Sequence, residues 1–416
     1  MRLSLPNVSR RAFLRGAAAA GAGAVAVSAL ASCSASSPKD EAASPTVVDS
    51  GSATYVVGSG DVQGSYAEAS ADNGGTVSLE QVGSWAIALG CVLRPAEGAW
   101  KPFVAPGEAA SPMAVAGAFS TAMGQAVTLV PDSRAGGTYV IYDARCSDSV
   151  FAWSELDLVS RAWKLFAAPL LSDGTLGGAS TLWEADANYD PPQFVCTGSN
   201  VVWLVMPSTS GTRVTESSSC YLWQVGSSSA DEVVRSQGRF ACGPSVSDGM
   251  VTLVPRVRTS ESGRYYGITA YTLDSKLATV AAQLVLPQSV QPMFATRMGD
   301  VFAFSVEANY GTGGLLGNMG TYIGNGSDPF VVLPREPAAE VSGKGGVYLI
   351  KTRASHLIVD TNAKTYASLT APNRALDYGD YPASAGTTST FVTFATVKDQ
   401  DTGYPSAVTV RAFKLA

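Results

Sequence analysis

Histidine is almost absent from this chain, since His356 is the single one in 416 residues. Zinc hydrolases, copper oxidases, haem carriers and histidine-based lyases use several imidazoles, or one placed in a cleft. The pattern around His356 indicates an ordinary residue at the start of a strand. The scarcity of histidine therefore argues against these classes of enzyme and metal protein.

Other motifs of catalysis and cofactor binding are missing as well. No Gly-x-Ser-x-Gly marks a nucleophilic serine, the glycine-rich stretch 311–320 lacks Gly-Lys-Ser/Thr, and no Cys-x-x-Cys occurs. We expect no catalytic residue, no cofactor and no metal centre. Asp186, Asn188 and Asp190 would offer three oxygens to Ca²⁺, although an EF-hand's glycine and terminal glutamate are absent. The sequence argues against an enzyme without deciding the matter.

Charged residues are few, at 15%, and the acidic ones outnumber the basic ones by 34 to 28. The net charge is −6, and because the first 32 residues carry four arginines and no acid, the remainder has a charge of −10. An acidic domain repels a phosphate backbone, so nucleic acid is excluded as a partner. Apolar residues make up 46%, which is enough to order a core and excludes a disordered chain.

The first residues have the pattern of an export signal. Arg10 and Arg11 are followed by Phe13 and Leu14, and then by an uncharged Ala/Gly-rich stretch, 16–30, that is too short to span a bilayer. This pattern resembles the twin-arginine (Tat) signal, which routes folded proteins across the cytoplasmic membrane. The resemblance implies the Tat translocase as a partner during export.

Leu30-Ala31-Ser32-Cys33 comes next and resembles the lipobox of bacterial lipoproteins. The resemblance implies cleavage before Cys33 and lipidation of its thiol, which would anchor the protein on the extracytoplasmic side of the cell membrane. Residues 1–32 are then the signal peptide, 33–52 a flexible Ser/Ala/Pro-rich tether, and 53–416 the folded domain. No later stretch reaches 18 apolar residues, so no other membrane span is expected.

The rest of the chain repeats. Six segments share a turn residue followed by an alternating strand, with spacings of 51, 49, 51, 46 and 44 residues. Their aligned positions are Val150, Val201, Met250, Val301, Val347 and Phe391. One unit divides into four short strands, at 192–197, 201–206, 220–225 and 232–236. Four strands per unit predict an all-β fold and resemble the β-propeller superfamily. The WD40, kelch and sialidase signatures are absent.

Seven blades fit the length better than six or eight. We expect Ser84–Leu89 to be the second strand of an earlier unit whose fourth strand is 126–130. The last unit ends at its third strand, 407–413, and residues 53–57 are expected to supply the missing fourth strand and close the ring. A separate domain at 53–137, a sandwich and a β-helix are the alternatives.

Five cysteines follow Cys33: Cys91, Cys146, Cys196, Cys220 and Cys242. Cys146 and Cys196 fall on the first strands of neighbouring blades, so a disulfide between them is open in an exported protein. The sequence favours thiols packed in the core instead.

The polar loops of one propeller face are the candidate binding surface. The loops that enter each blade and those between its second and third strands share a face, and here they carry clustered acids and tyrosines. The candidate residues are Asp186, Asn188, Tyr189, Asp190, Arg264, Tyr265, Glu307, Tyr310, Asp377, Tyr378, Asp380, Tyr381, Asp399 and Tyr404. We expect a non-catalytic scaffold module that binds an envelope protein or peptide. The alternative is a carbohydrate-binding or carbohydrate-active propeller, in which Asp and Glu of the same loops contact a glycan.

Overall fold

The structure, a computed structural model, describes residues 79–107, 113–210, 212–307, 319–353, 355–362, 365–376 and 379–415. The export signal with Arg10, Arg11, Phe13 and Leu14, the lipidation residue Cys33 and the expected closing strand 53–57 lie outside these residues. In the described part of the chain, no helix is long and apolar enough to cross a membrane.

The described residues form seven antiparallel sheets, which are the blades of a propeller, as the repeat predicts. Blade 1 contains β2 (Val92–Leu93), β3 (Trp100–Pro106), β4 (Met113–Ser120) and β5 (Gln125–Val130). Blade 2 contains β6 (Tyr139–Cys146), β7 (Val150–Asp157), β8 (Trp163–Pro169) and β9 (Ser180–Ala185). Blade 3 contains β10 (Gln193–Thr197), β11 (Asn200–Val205), β12 (Ser218–Gln224) and β13 (Asp231–Ser236).

Blades 4 and 6 each have one extra short strand. Blade 4 contains β14 (Ser245–Ser247), β15 (Met250–Leu253), β16 (Arg256–Val257), β17 (Tyr265–Thr272) and β18 (Val280–Val285). Blade 5 contains β19 (Phe294–Met298), β20 (Val301–Val306), β21 (Gly320–Gly324) and β22 (Val331–Leu333). Blade 6 contains β23 (Ser342–Lys344), β24 (Val347–Lys351), β25 (His356–Asp360) and β26 (Thr365–Leu369), and β28 (Gly386–Thr387) pairs with β23 in parallel.

Blade 7 joins the two ends of the described chain. It contains β27 (Asp380–Pro382), β29 (Thr390–Lys398) and β30 (Pro405–Leu415), and its outer strand is β1 (Leu79–Ile87), which pairs with β30 from Leu79 opposite Leu415 to Ile87 opposite Val408. The sequence correctly predicts that the last blade ends at its third strand. The assignment of Ser84–Leu89 to the second strand of an earlier unit is wrong, because residue alternation does not show which strand is the pairing partner. β3 is that second strand.

Tight turns connect the first and second strands of several blades. Asp248 and Gly249 both have positive φ, at 53° and 71°, between β14 and β15, as a two-residue hairpin turn requires. Gly345 and Gly346, at 62° and 88°, do the same between β23 and β24. These turns fix the register of the inner hairpins, and with it the spacing of the residues around the central channel of the propeller.

One hydrophobic cluster lies between each pair of neighbouring blades. The clusters at six of the interfaces contain ten to thirteen buried residues, whereas the one between blades 6 and 7 contains six. Those six are Leu79, Leu349, Ile358, Leu369, Phe391 and Phe413. Since burial of apolar surface stabilises by roughly 25 cal/mol per Å², the face-to-face packing of the blades is the main stabilising contribution, and the blade 6–7 interface has the smallest share.

The pairing of β1 with β30 is tested by a disulfide. Glu80 and Lys414 are exposed direct partners in this register. Glu80→Cys with Lys414→Cys is expected to form a cross-link that closes a loop of most of the domain and raises the free energy of unfolding by about 3 kcal/mol. Mobility on non-reducing gels and urea unfolding measure both effects. The control pair, Glu80→Cys with Lys398→Cys, should not cross-link; cross-linking of the control alone would contradict the register.

Candidate functional site

A cavity of about 1320 Å³ opens where the inner strands of blades 2 to 5 begin. We call it the channel cavity. Its charged lining consists of Arg94, Asp143, Arg145, Arg161, Asp190, Arg239, Glu307 and Glu340. Its apolar lining includes Phe194, Met206, Val290, Met293, Phe294 and Val306. A cavity of this kind combines apolar walls with a few polar groups, which is typical of small-molecule sites.

Two arginines in the channel cavity share one carboxylate oxygen. The Oδ1 atom of Asp143 accepts hydrogen bonds from Arg94 Nε at 2.9 Å and from Arg145 NH1 at 2.7 Å. Among the described residues, Asp143 is the carboxylate in ion-pair contact with these two arginines. The exposed fraction of the side chain is 35% for Arg94, 24% for Arg145 and 15% for Asp143. This corner of the cavity therefore carries an excess of one positive charge in a partly desolvated position.

Glu340 faces this arrangement from the segment that precedes blade 6. Burial raises the pKa of its carboxyl group, and the positive charge of Arg145 opposes that rise without cancelling it. Glu340 thus holds its proton to a higher pH than an ordinary glutamate, which weakens its ability to neutralise Arg145.

A second ion pair fixes one edge of the cavity. Arg239 NH2 lies 2.8 Å from Asp190 Oδ2, and Arg239 NH1 donates to the carbonyl oxygen of Pro207. The loop that enters blade 3 is thereby held against the end of its second strand. Arg239 is compensated by Asp190, whereas Arg94 and Arg145 share the single carboxylate of Asp143.

A second group of charged residues follows β2 in the chain and contacts blade 3. Thr197 Oγ1 donates to Glu97 Oε2 at 3.1 Å, and Lys101 Nζ donates to the carbonyl oxygen of Ala96 at 2.7 Å. Lys101 is 3% exposed, and burial lowers its pKa to about 8. Burial raises the pKa of Glu97, with Asp248 and Asp148 adding to the effect.

A smaller cavity of about 680 Å³ lies between blades 2 and 3. Trp163, Trp183, Tyr189 and Tyr221 surround it, and the Trp183 and Tyr221 ring centroids are 4.4 Å apart. Among the candidate residues, Asp186 and Tyr189 line this cavity, whereas Asp190 and Glu307 line the channel cavity. The candidate residues are therefore divided between separate places.

Several other candidates are already engaged by the chain itself. Asp186 accepts from the backbone and side-chain nitrogens of Asn188, both at 2.9 Å. Asp399 accepts from Thr402, whose hydrogen bonds lower the pKa of the carboxyl group. With Asp190 paired to Arg239, the three oxygen donors of a calcium loop do not converge, and no metal-binding group of His, Cys, Asp and Glu occurs in the described part of the chain.

Two candidates expected on the surface are buried. Tyr265 is 2% exposed and donates to Glu261 Oε2 at 2.8 Å, and Asp380 is fully buried. Arg264 is exposed on blade 4, whereas Tyr381 and Tyr404 are exposed on blade 7. Tyr310, Asp377 and Tyr378 lie outside the described residues.

The candidate residues predicted from the sequence do not include Arg94, Asp143, Arg145 or Glu340. Asp143 and Arg145 lie two residues apart on β6, which is the innermost strand of blade 2. Charged side chains on an innermost strand are the signal in the sequence that would have indicated a site. Cys91, Cys146, Cys196, Cys220 and Cys242 are free, buried thiols, as the sequence favours, and no disulfide joins Cys146 to Cys196.

No family model matches this chain, and no curated protein does. Solved structures similar to it are propellers of peptidases. The β-propeller domain of the Trilobed protease from Pyrococcus furiosus has a TM-score of 0.48 at 9% identity, over 79% of this chain and 96% of that one. A prolyl endopeptidase gives 0.49 at 11%, over 82% and 50%. A Mycobacterium tuberculosis puromycin-hydrolyzing peptidase gives 0.46 at 12%, over 76% and 52%.

This chain therefore spans about half the length of the two whole peptidases. The likeness concerns the propeller fold alone. The expectation of a non-catalytic protein- or peptide-binding scaffold is wrong, because the described candidate residues do not form one surface. Neither that expectation nor its carbohydrate alternative is retained.

The lowered pKa of Lys101 makes stability depend on pH. An unfolded lysine keeps its proton to about pH 10.5, whereas folded Lys101 loses it near pH 8. Because the unfolded state binds more protons between these values, the free energy of unfolding should rise with pH across this window, by up to about 1.4 kcal/mol per pH unit from this residue. Urea unfolding from pH 7 to 10 measures the slope.

The difference between the wild-type protein and Lys101→Met isolates this contribution from other titrating groups. The variant should have a smaller slope, while the exposed control Lys414→Met should match the wild type. Equal slopes in wild type and Lys101→Met would show that Lys101 has an ordinary pKa.

Proposed function

We propose that this propeller binds a small organic anion, with a carboxylate or phosphate head group and an apolar body, in the channel cavity. The observation that carries the proposal is the sharing of Asp143 Oδ1 by Arg94 and Arg145. A guanidinium group has five donors in a fixed fork, so one shared carboxylate oxygen leaves donors for a ligand.

The corner of the cavity at Arg94 and Arg145 favours an anion over a cation. Arg239 and Asp190 compensate one another, and burial raises the pKa of Glu340. Arg94 and Arg145 together exceed the charge of Asp143 by one. A carboxylate or phosphate placed here would complete the charge balance with short, charge-assisted hydrogen bonds.

The walls favour a ligand with an apolar body. The Arg145 guanidinium carbon lies 5.8 Å from the centroid of the Phe194 ring, which places an aromatic surface beside the charged corner. Met206 and Phe294 extend the apolar lining. Ligand sites are commonly about 300–1,000 Å³, so the cavity has room for a ligand of several rings together with water.

Ligand-observed NMR tests this proposal with 3-phenylpropionate, hexanoate and phenyl phosphate as probes, each beside a neutral counterpart such as 3-phenylpropionamide. We expect the anions to bind and the amides to bind at least tenfold more weakly, because the hydrogen bonds to charged groups are lost. Arg145→Leu should weaken anion binding by about 10- to 100-fold.

Arg235→Leu is the matched control, because Arg235 is an exposed arginine on β13 that pairs with Glu232 on the outside of blade 3. It should leave anion binding unchanged. Equal binding of acids and amides, or equal binding by the wild type and Arg145→Leu, would rule out the proposed site.

We further propose that the chain is exported by the Tat translocase and anchored to the membrane through a lipid on Cys33. The support is the sequence pattern of Arg10, Arg11, Phe13 and Leu14 and the lipobox that ends at Cys33. The five free, buried cysteines of the described domain fit a protein that folds before it leaves the reducing cytoplasm.

Fractionation of cells that express the full chain tests the export proposal. The wild-type protein is expected to incorporate labelled palmitate and to enter the detergent phase, whereas Cys33→Ala should do neither. Arg10→Lys with Arg11→Lys should hold the protein in the cytoplasm, and Arg2→Lys with Arg15→Lys is the matched control. Labelling of Cys33→Ala would place the anchor elsewhere.

A further inference from the structure

Four charged or titratable side chains are buried together between blades 6 and 7. Lys351 ends β24, His356 begins β25, Asp380 begins β27 and Arg411 lies on β30. Their residues are 1%, 0%, 0% and 3% exposed. We call this group the blade 6–7 cluster. None of its members lines the channel cavity, so it is independent of the proposed ligand site.

One carboxylate oxygen holds the cluster together. Arg411 NH2 donates to Asp380 Oδ2 at 3.0 Å and to Thr393 Oγ1 at 3.3 Å, and Arg411 NH1 donates to the carbonyl oxygen of Thr370 at 3.2 Å. His356 Nδ1 lies 3.6 Å from the same Asp380 oxygen, too far for a good hydrogen bond. Burial lowers the pKa of His356, so its imidazole is neutral at pH 7.

Positive charge exceeds negative charge in this region. Lys351 and Arg411 are balanced by Asp380 alone among the described residues that act electrostatically on them, and Arg374 adds a third positive charge that acts on Lys351. Burial lowers the pKa of Lys351 to about 8. A buried ammonium without a full counter-charge is unfavourable, so another negative group would stabilise the charged form of Lys351.

Several buried polar atoms of the region have no hydrogen-bond partner among the described residues, although Lys351 Nζ lies 5.2 Å from the centroid of the Tyr381 ring. They are Lys351 Nζ, both ring nitrogens of His356, Asp380 Oδ1, Arg411 Nε and Arg374 NH1. Three of the six belong to cationic donors, with only one carboxylate oxygen to accept from them. Buried polar groups in folded proteins are normally hydrogen-bonded, and here the unpartnered donors call for an acceptor.

We propose that the blade 6–7 cluster binds one small monovalent inorganic anion, of the size of chloride, through Lys351 with Arg374 and Arg411. A halide accepts hydrogen bonds from several directions at once and supplies the missing negative charge, which a water molecule does not. Lys351, Asp380 and Arg411 are almost fully buried, which excludes large anions. The interface has only six residues in its hydrophobic cluster, so a bound anion would contribute noticeably to its stability.

Thermal unfolding of the whole exported domain in sodium chloride and in sodium gluconate at equal ionic strength tests the proposal. Gluconate is too large for the buried site and controls for screening. Tm should be roughly 2 °C higher in chloride than in gluconate, and the increase should level off as the chloride concentration rises. Lys351→Met should abolish this difference, whereas Lys414→Met, an exposed lysine on β30, should retain it.

Crystals soaked in sodium bromide give a direct readout that does not require any variant to fold. An anomalous peak in contact with Lys351 Nζ would support the site. Equal Tm values in chloride and gluconate, an equal chloride effect in both lysine variants, or bromide peaks confined to other parts of the protein would overturn it and leave water as the partner of these atoms.

Discussion

Strand β1 completes blade 7 by pairing with β30, and through this pairing the first described strand holds the last one. Each blade packs both of its faces against neighbours, so every hydrophobic cluster lies at an interface between two blades. An open ring would leave two apolar faces in water and a strand edge unpaired. Closure by β1 removes both, and the stability of all seven interfaces depends on it.

Closure also fixes distances across the channel. Arg145 belongs to blade 2 and Glu340 precedes blade 6, yet the charge of Arg145 influences the carboxyl group of Glu340. Such an interaction requires the intervening blades to hold their positions on both sides of the ring. Short polar contacts reinforce the inner strands, including those from Ser147 Oγ to the carbonyl of Gly198 and from Ser245 Oγ to the carbonyl of Ala295, which join blade 2 to 3 and 4 to 5.

The sequence predicts the blades well and their closure poorly, for one physical reason. Second strands such as those at Val150 and Phe391 repeat because every blade has the same alternation and the same turn chemistry. Which strand pairs with β30 depends on a contact between residues more than 300 positions apart, and alternation carries no information about it. The alternation of Ser84–Leu89 therefore predicts an inner strand of its own unit, which the pairing of β1 with β30 shows to be wrong.

The sequence does not predict the buried charged residues either, for a related reason. Asp380 occurs in a loop rich in tyrosine and acid that resembles a surface loop, and only packing against Arg411 shows that it is buried. Arg94 and Asp143 are 49 residues apart and meet because neighbouring inner strands lie side by side. Composition predicts that charged residues are exposed. Which charged residues are buried instead depends on contacts between distant parts of the chain.

The distribution of charge separates the surface of this protein from its interior. The chain has a net charge of −6, whereas Arg94 with Arg145, and Lys351 with Arg411 and Arg374, exceed their carboxylate partners. An acidic surface slows the approach of anions and gives no long-range attraction. Discrimination among anions must therefore come from contacts made after entry, where partial burial strengthens each hydrogen bond and screening by salt is weaker.

The channel cavity offers such contacts beside apolar walls, which favours organic anions. The blade 6–7 cluster offers them in a closed space, which favours a single small ion.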